Sequence, residues 1–318
     1  MEQRYFQEAY NVIEEVKKAV IGKDECVRLA MAAILAGGHI LIDDIPGVGK
    51  TTLAMAFAGA MEMDSQRVQF TPDVLPADIL GFSLYQKDSG QFTYQPGAIM
   101  CNLFLADEIN RTSPKTQSAL LEVMEEGRVT VDGVTRQVPD PFVVIATENP
   151  VGSVGTQLLP ESQLDRFMIC MTMGYPDREN EIAIAKGRST GVPLNQIEGI
   201  IPAQELTAMK QAVDETYLQD EIYEYIVSLV QQTRSHELVE LGISPRGTIA
   251  LVKMAKAIAF LAGRDYVVPD DVAEIFPAVT AHRLVLNAKA RVGHVTVETV
   301  VEQILTSVKK PGIRKAVR

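Results

Sequence analysis

Tryptophan is missing from the chain, and aromatic residues make up only 6% of its 318 positions. There are three cysteines, Cys26, Cys101 and Cys170. They are odd in number and far apart, which excludes a disulfide framework and a clustered cysteine-ligated zinc site. No apolar run approaches the roughly 18 residues that a membrane span requires. The opening stretch MEQRYFQEAY has neither a basic n-region nor an apolar h-region. The expectation is a cytoplasmic protein of a reducing compartment, with no membrane insertion. Internal repeats and low-complexity tracts are also missing. Positive charge is the scarcer sign: 30 Lys and Arg face 41 Asp and Glu, a formal net of −11. That balance speaks against a broad nucleic-acid surface while allowing a local basic groove.

What is present is an ordinary globular composition, 47% hydrophobic and 22% charged, at a length that suggests two domains. The charge is uneven. Residues 1–176 hold 23 acidic and 13 basic side chains, a net of −10, whereas 177–318 hold 18 and 17, a net of −1. The texture changes at the same place. Short apolar runs punctuated by Gly, Pro and Asp give way to long runs at helical spacing. The pattern predicts an α/β core over 1–176, a connecting segment over 177–200 and a helical domain over 201–318. The basic tail, 309–318, reads as a solvated terminus.

An amphipathic helix is expected at 5–19 and a second helix at 24–36. Strand-like runs follow at 39–43, 67–70, 102–106, 142–147 and 167–171. They are apolar almost throughout, as in strands covered on both faces of a parallel sheet. Helical patterns at 51–61 and 114–126 lie between them, which implies an α/β fold with right-handed crossovers. The second part predicts helices at 202–217, 220–235, 245–262, 270–286 and 297–308, with no strand of comparable strength between them. Two hairpins are expected, at 82–98 around Asp88-Ser-Gly90 and at 127–138 around Asp132-Gly133.

The first strand leads into Asp44-Ile-Pro-Gly-Val-Gly-Lys-Thr51 and then a helix. Strand, glycine loop and helix are the setting of a phosphate-binding loop. Gly47 and Gly49 let the backbone approach phosphate oxygens, with Pro46, Val48 and Thr52 beside them. The helix adds its positive end. Lys50 can reach the outer phosphates, and the Thr51 hydroxyl is a hard oxygen ligand for Mg²⁺. The usual pattern begins with Gly, and Asp44 departs from it. Farther on, Leu103-Phe-Leu-Ala-Asp107-Glu108 ends a buried strand with two carboxylates. Asp107 suits Mg²⁺ and Glu108 suits activation of a water. A third strand ends in Ala146-Thr-Glu-Asn149-Pro150. There Asn149 either contacts phosphate and water or simply turns the chain.

These segments, with Leu164-Asp-Arg-Phe167 and Ser244-Pro-Arg246, resemble in order and content the AAA+ ATPases. Ala106-Asp-Glu-Ile-Asn-Arg-Thr112, Gln117-Ser-Ala-Leu-Leu121 and Leu159-Pro-Glu-Ser-Gln-Leu-Asp-Arg-Phe167 resemble the signatures of the MoxR group. The resemblance covers nearly the whole chain. It implies a P-loop AAA+ core with a parallel sheet flanked by helices, then a small all-α lid. It also implies ATP or ADP with Mg²⁺ as cofactors, Asn149 as a γ-phosphate sensor, Arg166 as an arginine finger reaching a neighbouring subunit, and Arg246 as a second sensor, in cis or in trans. Ile21 and Gly22 match the segment that lines the adenine pocket. The implied assembly is a homo-oligomeric ring, a hexamer, that remodels protein clients, among them von Willebrand factor A-domain proteins. Three simpler readings compete with these. They are a local Asp165–Arg166 surface pair, hairpins without a contact role, and Arg128 and Arg136 merely solvating the second hairpin. A nucleic-acid-translocating ring and an ATP-gated scaffold without turnover are the rival functions. The acidic balance weighs against the first, and Glu108, Asn149 and Arg166 together weigh against the second.

Overall fold

The computed structural model describes residues 3–149, 159–186 and 193–312. Pro150, residues 187–192 of the expected connection, and the basic tail beyond 312 lie outside the described residues. Two helices, α1 (Gln3–Ala19) and α2 (Asp24–Leu35), precede strand β1 (Ile40–Asp43) and helix α3 (Lys50–Ala60). Then come β2 (Ser65–Gln69), α4 (Pro76–Leu80) and the hairpin β3 (Gly81–Gln86) and β4 (Gln91–Pro96). The core continues through β5 (Leu103–Asp107), α5 (Pro114–Glu126) and the hairpin β6 (Arg128–Val131) and β7 (Val134–Gln137). It closes with β8 (Val143–Glu148), α6 (Glu161–Leu164), β9 (Ile169–Met171) and α7 (Arg178–Ala185). The C-terminal part holds α8 (Ala203–Asp214), α9 (Asp220–Ser235), β10 (Val239–Leu241), α10 (Pro245–Leu261), α11 (Pro269–Thr280), β11 (Val285–Leu286), α12 (Ala288–Val292) and α13 (Val297–Ser307).

The five expected core strands form one parallel sheet in the order β2-β5-β8-β1-β9. Successive side chains point to opposite faces, and the apolar residues divide accordingly. Ile40, Ile42, Leu103, Leu105, Val143 and Ile145 join one cluster with α1, α2, α3 and the C-terminal helices. Leu41, Phe104, Ala106, Val144 and Ala146 join a second cluster under α5. Burial on both faces explains why these strands read as continuous apolar runs. The run at 67–70 is the exception. As β2 it is an edge strand, flanked among the described strands only by β5, and half exposed, so its Arg67 and Gln69 reach solvent-accessible space.

Two of the long helices, α5 and α10, begin on clear local signals. At α5, Ser113 Oγ accepts from the Thr116 amide at 3.3 Å, Pro114 occupies the first turn, and Gly127 closes the helix at φ 63°. Such a cap is worth about 1 kcal/mol. Ser244 and Pro245 open α10 in the same way. Both hairpins form where expected, the second turning on Asp132 and Gly133 at φ 51° and 75°.

Two expectations for the C-terminal part fail. The helix expected over 270–286 stops at Thr280, and residues 285–286 pair with β10 in a small antiparallel ladder. The cause is tertiary. The buried guanidinium of Arg283 donates from Nε to Asp165 Oδ1 at 2.8 Å and from Nη2 to the Phe167 carbonyl at 2.5 Å, which anchors the chain after α11 to the core. No described helix is long and apolar enough to cross a membrane.

Candidate functional site

In a parallel sheet all strands end on one side, so β1, β5 and β8 deliver Asp43, Asp107 and Glu148 to a common edge. This edge is where open α/β sheets bind ligands. The loop from β1 to α3 curls over it. Gly47 and Gly49 take φ of 87° and 98°, a conformation that side-chain-bearing residues rarely adopt. A Cβ built on Gly47 meets no atom of the described residues within 4 Å. The loop and strand ends enclose a cavity of about 390 Å³. Pro46, Gly47, Gly49, Lys50, Thr51 and Thr52 line it from the loop; Asp107, Glu108 and Asn149 line it from the strands. Val48 packs on the core instead.

The polar groups form one connected set. Lys50 Nζ donates to the Asp44 carbonyl at 2.5 Å, the Glu148 carbonyl at 3.0 Å and Asn149 Oδ1 at 3.3 Å. Burial lowers its pKa, and the carboxylates of Asp44, Asp107, Asp43 and Glu108 oppose that shift. Asn149 Nδ2 donates to Glu108 Oε1 at 2.7 Å, and Arg111 Nη1 donates to Glu108 Oε2 at 2.7 Å. Burial pushes the Glu108 carboxyl up, but these hydrogen bonds outweigh it and leave its pKa below the ordinary value. Glu108 itself stands at φ 56°, costly for a non-glycine residue. Its amide donates to Thr147 Oγ1 at 2.9 Å, and that hydroxyl donates to Asp107 Oδ1 at 2.7 Å.

Asp44 has a structural task that accounts for its departure from glycine. Its Oδ1 accepts from the Ile45 amide at 2.7 Å, and its Oδ2 accepts from the Met173 and Gly174 amides, each at 2.6 Å. The carboxylate thus ties the loop entry to the chain leaving β9. Lys23 Nζ binds the same segment from the other side, donating to the Met173, Gly174 and Tyr175 carbonyls.

Arg166 and Arg246 are not part of this cavity. Both pair with one carboxylate, Glu125 near the end of α5. The anionic partner that an arginine in the first turn of α10 demands is therefore Glu125 here. Asp165 does not pair with Arg166; it accepts from Arg283 and, at 2.8 Å, from Ser244 Oγ. Ile21 and Gly22 do not line the cavity either. Gly22, at φ 72°, lies against Asn180 of α7, whose side chain a Cβ would strike.

Four participants escape sequence reasoning. Arg111 and Thr147 had weak local signals, three residues after Glu108 and one after Ala146. Arg67 and Glu125 had none, because their partners are distant in sequence. On the hairpins, Arg128 pairs with Glu126 at 2.6 Å and Arg136 lies 3.9 Å from the centre of the Tyr94 ring, so neither is merely solvated.

The residue set suits Mg²⁺ and a nucleotide. Open glycine backbone and two cations, Lys50 and Arg67, line the cavity and could meet phosphate oxygens. A hydroxyl and a carboxylate offer the hard oxygens that Mg²⁺ selects. Comparisons with known proteins agree with the nucleotide part of this fit. Residues 39–169 match the family model described as "ATPase family associated with various cellular activities (AAA)", and residues 231–304 match the AAA lid domain. The chain is 47% identical to the Bacillus subtilis (strain 168) protein YeaC over 96% of each chain. It is 37% identical to a protein of Mycobacterium tuberculosis named chaperone MoxR1, over 95% of this chain and 82% of that one. A crystal structure from Cytophaga hutchinsonii, described as that of a candidate ATPase, superposes with a TM-score of 0.88 at 34% identity. It covers 97% of this chain and 96% of its own. With a phosphate loop, a strand-end acid pair and a helical lid in place, the chain belongs to the MoxR family of AAA+ ATPases.

Proposed function

We propose that the protein is a Mg²⁺-dependent ATPase that works as a ring and remodels protein clients. The observation that carries the reading is the convergence of Lys50, Thr51, Asp107, Glu108 and Asn149 on one cavity. Thr51 and Asp107 would hold Mg²⁺, which when bound neutralises charge on the β- and γ-phosphates. Lys50 and the loop amides bind the phosphates. Glu108 takes the proton of the attacking water as the water oxygen bonds the γ-phosphorus and the bond to the β-bridging oxygen breaks. Its lowered pKa keeps it ionised for that task. Asn149 lies between Lys50 and Glu108, within hydrogen-bond reach of both, and so orients the water relative to the phosphate.

Arg166 and Arg246 meet on Glu125 and line no part of their own cavity. That placement supports a trans role for both, completing a neighbour's site across a ring interface. Residues 1–176 would supply the catalytic core and 201–318 the lid. The name of the chaperone relative supports protein clients, and von Willebrand factor A-domain proteins are the partner class that family membership suggests. The exposed aromatic residues of the first hairpin, Phe82, Tyr85 and Phe92, offer a surface for such a client.

Mixing subunits tests the ring and the trans arginine together. Arg166→Ala and Lys50→Ala proteins are each expected to be inactive alone. Their mixture should regain part of the ATPase rate, because some interfaces then combine an intact loop with an intact finger. Absence of rescue at every ratio, with mixed assembly confirmed, refutes the trans role.

A further inference from the structure

Arg67 sits where a metal-binding carboxylate would be expected to stay free. It lies on the edge strand β2, on the same face as Gln69, which pairs in register with Asp107. Its Nη2 donates to Asp107 Oδ2 at 2.7 Å, and its Nε lies 3.3 Å from the same oxygen. Nη2 also reaches Gln69 Oε1 at 3.2 Å. The other carboxylate oxygen is already held by the Thr147 hydroxyl. So both oxygens of Asp107 already accept a hydrogen bond, and Oδ2 carries the charged donor, the guanidinium. Arg67 and Gln69 both line the cavity that holds Lys50 and Thr51.

We propose that Arg67 is a positioning residue that competes with the divalent cation for Asp107 and so sets the metal concentration at which the site fills. The inference rests on the reading of Asp107 as a metal-holding group. Its mobility follows from its placement. Arg67 is 48% exposed on a strand with one neighbour, whereas Asp107 is 12% exposed and fixed by Thr147. A cation approaching Oδ2 therefore moves the arginine and leaves the carboxylate in place. Gln69 keeps the displaced guanidinium beside the cavity, where it faces phosphate oxygens. The arrangement couples the two halves of the ligand: the metal takes the carboxylate, and the arginine it releases gains an anionic partner only if phosphate is present.

The test uses the full chain, a fluorescent ADP followed by anisotropy, and Mn²⁺ as the metal probe. The nucleotide affinity is measured in EDTA and across a Mn²⁺ series, which gives the Mn²⁺ midpoint of tightening. Arg67→Met keeps the apolar stem and removes the charge. It should lower the midpoint by about two- to fivefold, the range a partly exposed ion pair supports. Affinity in EDTA should not increase. Arg67→Lys, which keeps the charge, should fall between wild type and Arg67→Met. In an Asp107→Asn background any remaining Mn²⁺ midpoint is set without the Asp107 charge, as through Thr51, and Arg67→Met should not shift it further, whereas a general loosening of the site would. An unchanged or raised midpoint in Arg67→Met overturns the proposal, as does a full shift that persists in the Asp107→Asn background. If Arg67→Met fails to fold, a Lys midpoint equal to or above wild type refutes it. A wild-type protein whose nucleotide affinity ignores Mn²⁺ refutes the metal reading itself, which separates the two failures.

Discussion

Glu148 lies at the end of β8, and its Oε1 is buried without a hydrogen-bond partner among the described residues. Burial pushes its pKa from 4.5 up to about 7; Asp43 reinforces the shift and Lys50 opposes it. The folded protein therefore holds this proton more tightly than the unfolded chain does. The contribution of Glu148 to stability falls as pH rises from about 4.5 to about 7 and stays at the lower level above that. The displacement corresponds to about 3 kcal/mol at pH 8. Glu148→Gln removes the charge and keeps the shape. It also leaves in place the backbone carbonyl that accepts from Lys50. The variant should be more stable than wild type by up to about 3 kcal/mol at pH 8 and indistinguishable from it near pH 4. Urea unfolding of both proteins from pH 4 to 9 provides the difference, from which titrations shared by both proteins cancel. A difference that is independent of pH, or a variant less stable at pH 8, refutes the reasoning.

Asp44→Gly, which restores the common phosphate-loop pattern, should destabilise the protein by about 1–3 kcal/mol, because three backbone amides lose a charged acceptor. Thermal unfolding measures it, and a stabilised variant would contradict the assignment. Ser244→Ala removes both the cap of α10 and the hydrogen bond to Asp165, and should cost about 1–2 kcal/mol in urea unfolding. Phe104→Ala empties a fully buried position under α5 and should cost about 3–5 kcal/mol by the same measurement. Losses below 1 kcal/mol would count against that packing.

The sheet was legible because each of its inner strands is buried on both faces and so carries an unbroken apolar run. Edge strand β2 lacks one neighbour, and its polar residues blurred the signal at Arg67. The phosphate loop and the acid pair were legible because their geometry is local: a glycine turn, a strand end, a helix start. Glu125 gave no local signal, since it acquires two arginines only when α5, the Arg166 turn and α10 converge. The early stop of α11 was hidden for the same reason. Periodicity supports a helix to residue 286, and the pairing of Arg283 with Asp165 and of residues 285–286 with β10 overrides it.

The proposed mechanism has Glu108 activate water in a site that binds ATP through other residues. Glu108→Gln keeps a polar side chain between Arg111 and Asn149 but cannot accept the proton of water. ATP affinity and steady-state hydrolysis, measured on the same preparation, decide it. The expected result is affinity within a few-fold of wild type and a rate lower by about 100-fold or more. A variant that binds and hydrolyses ATP at the wild-type rate would remove Glu108 from the role of base.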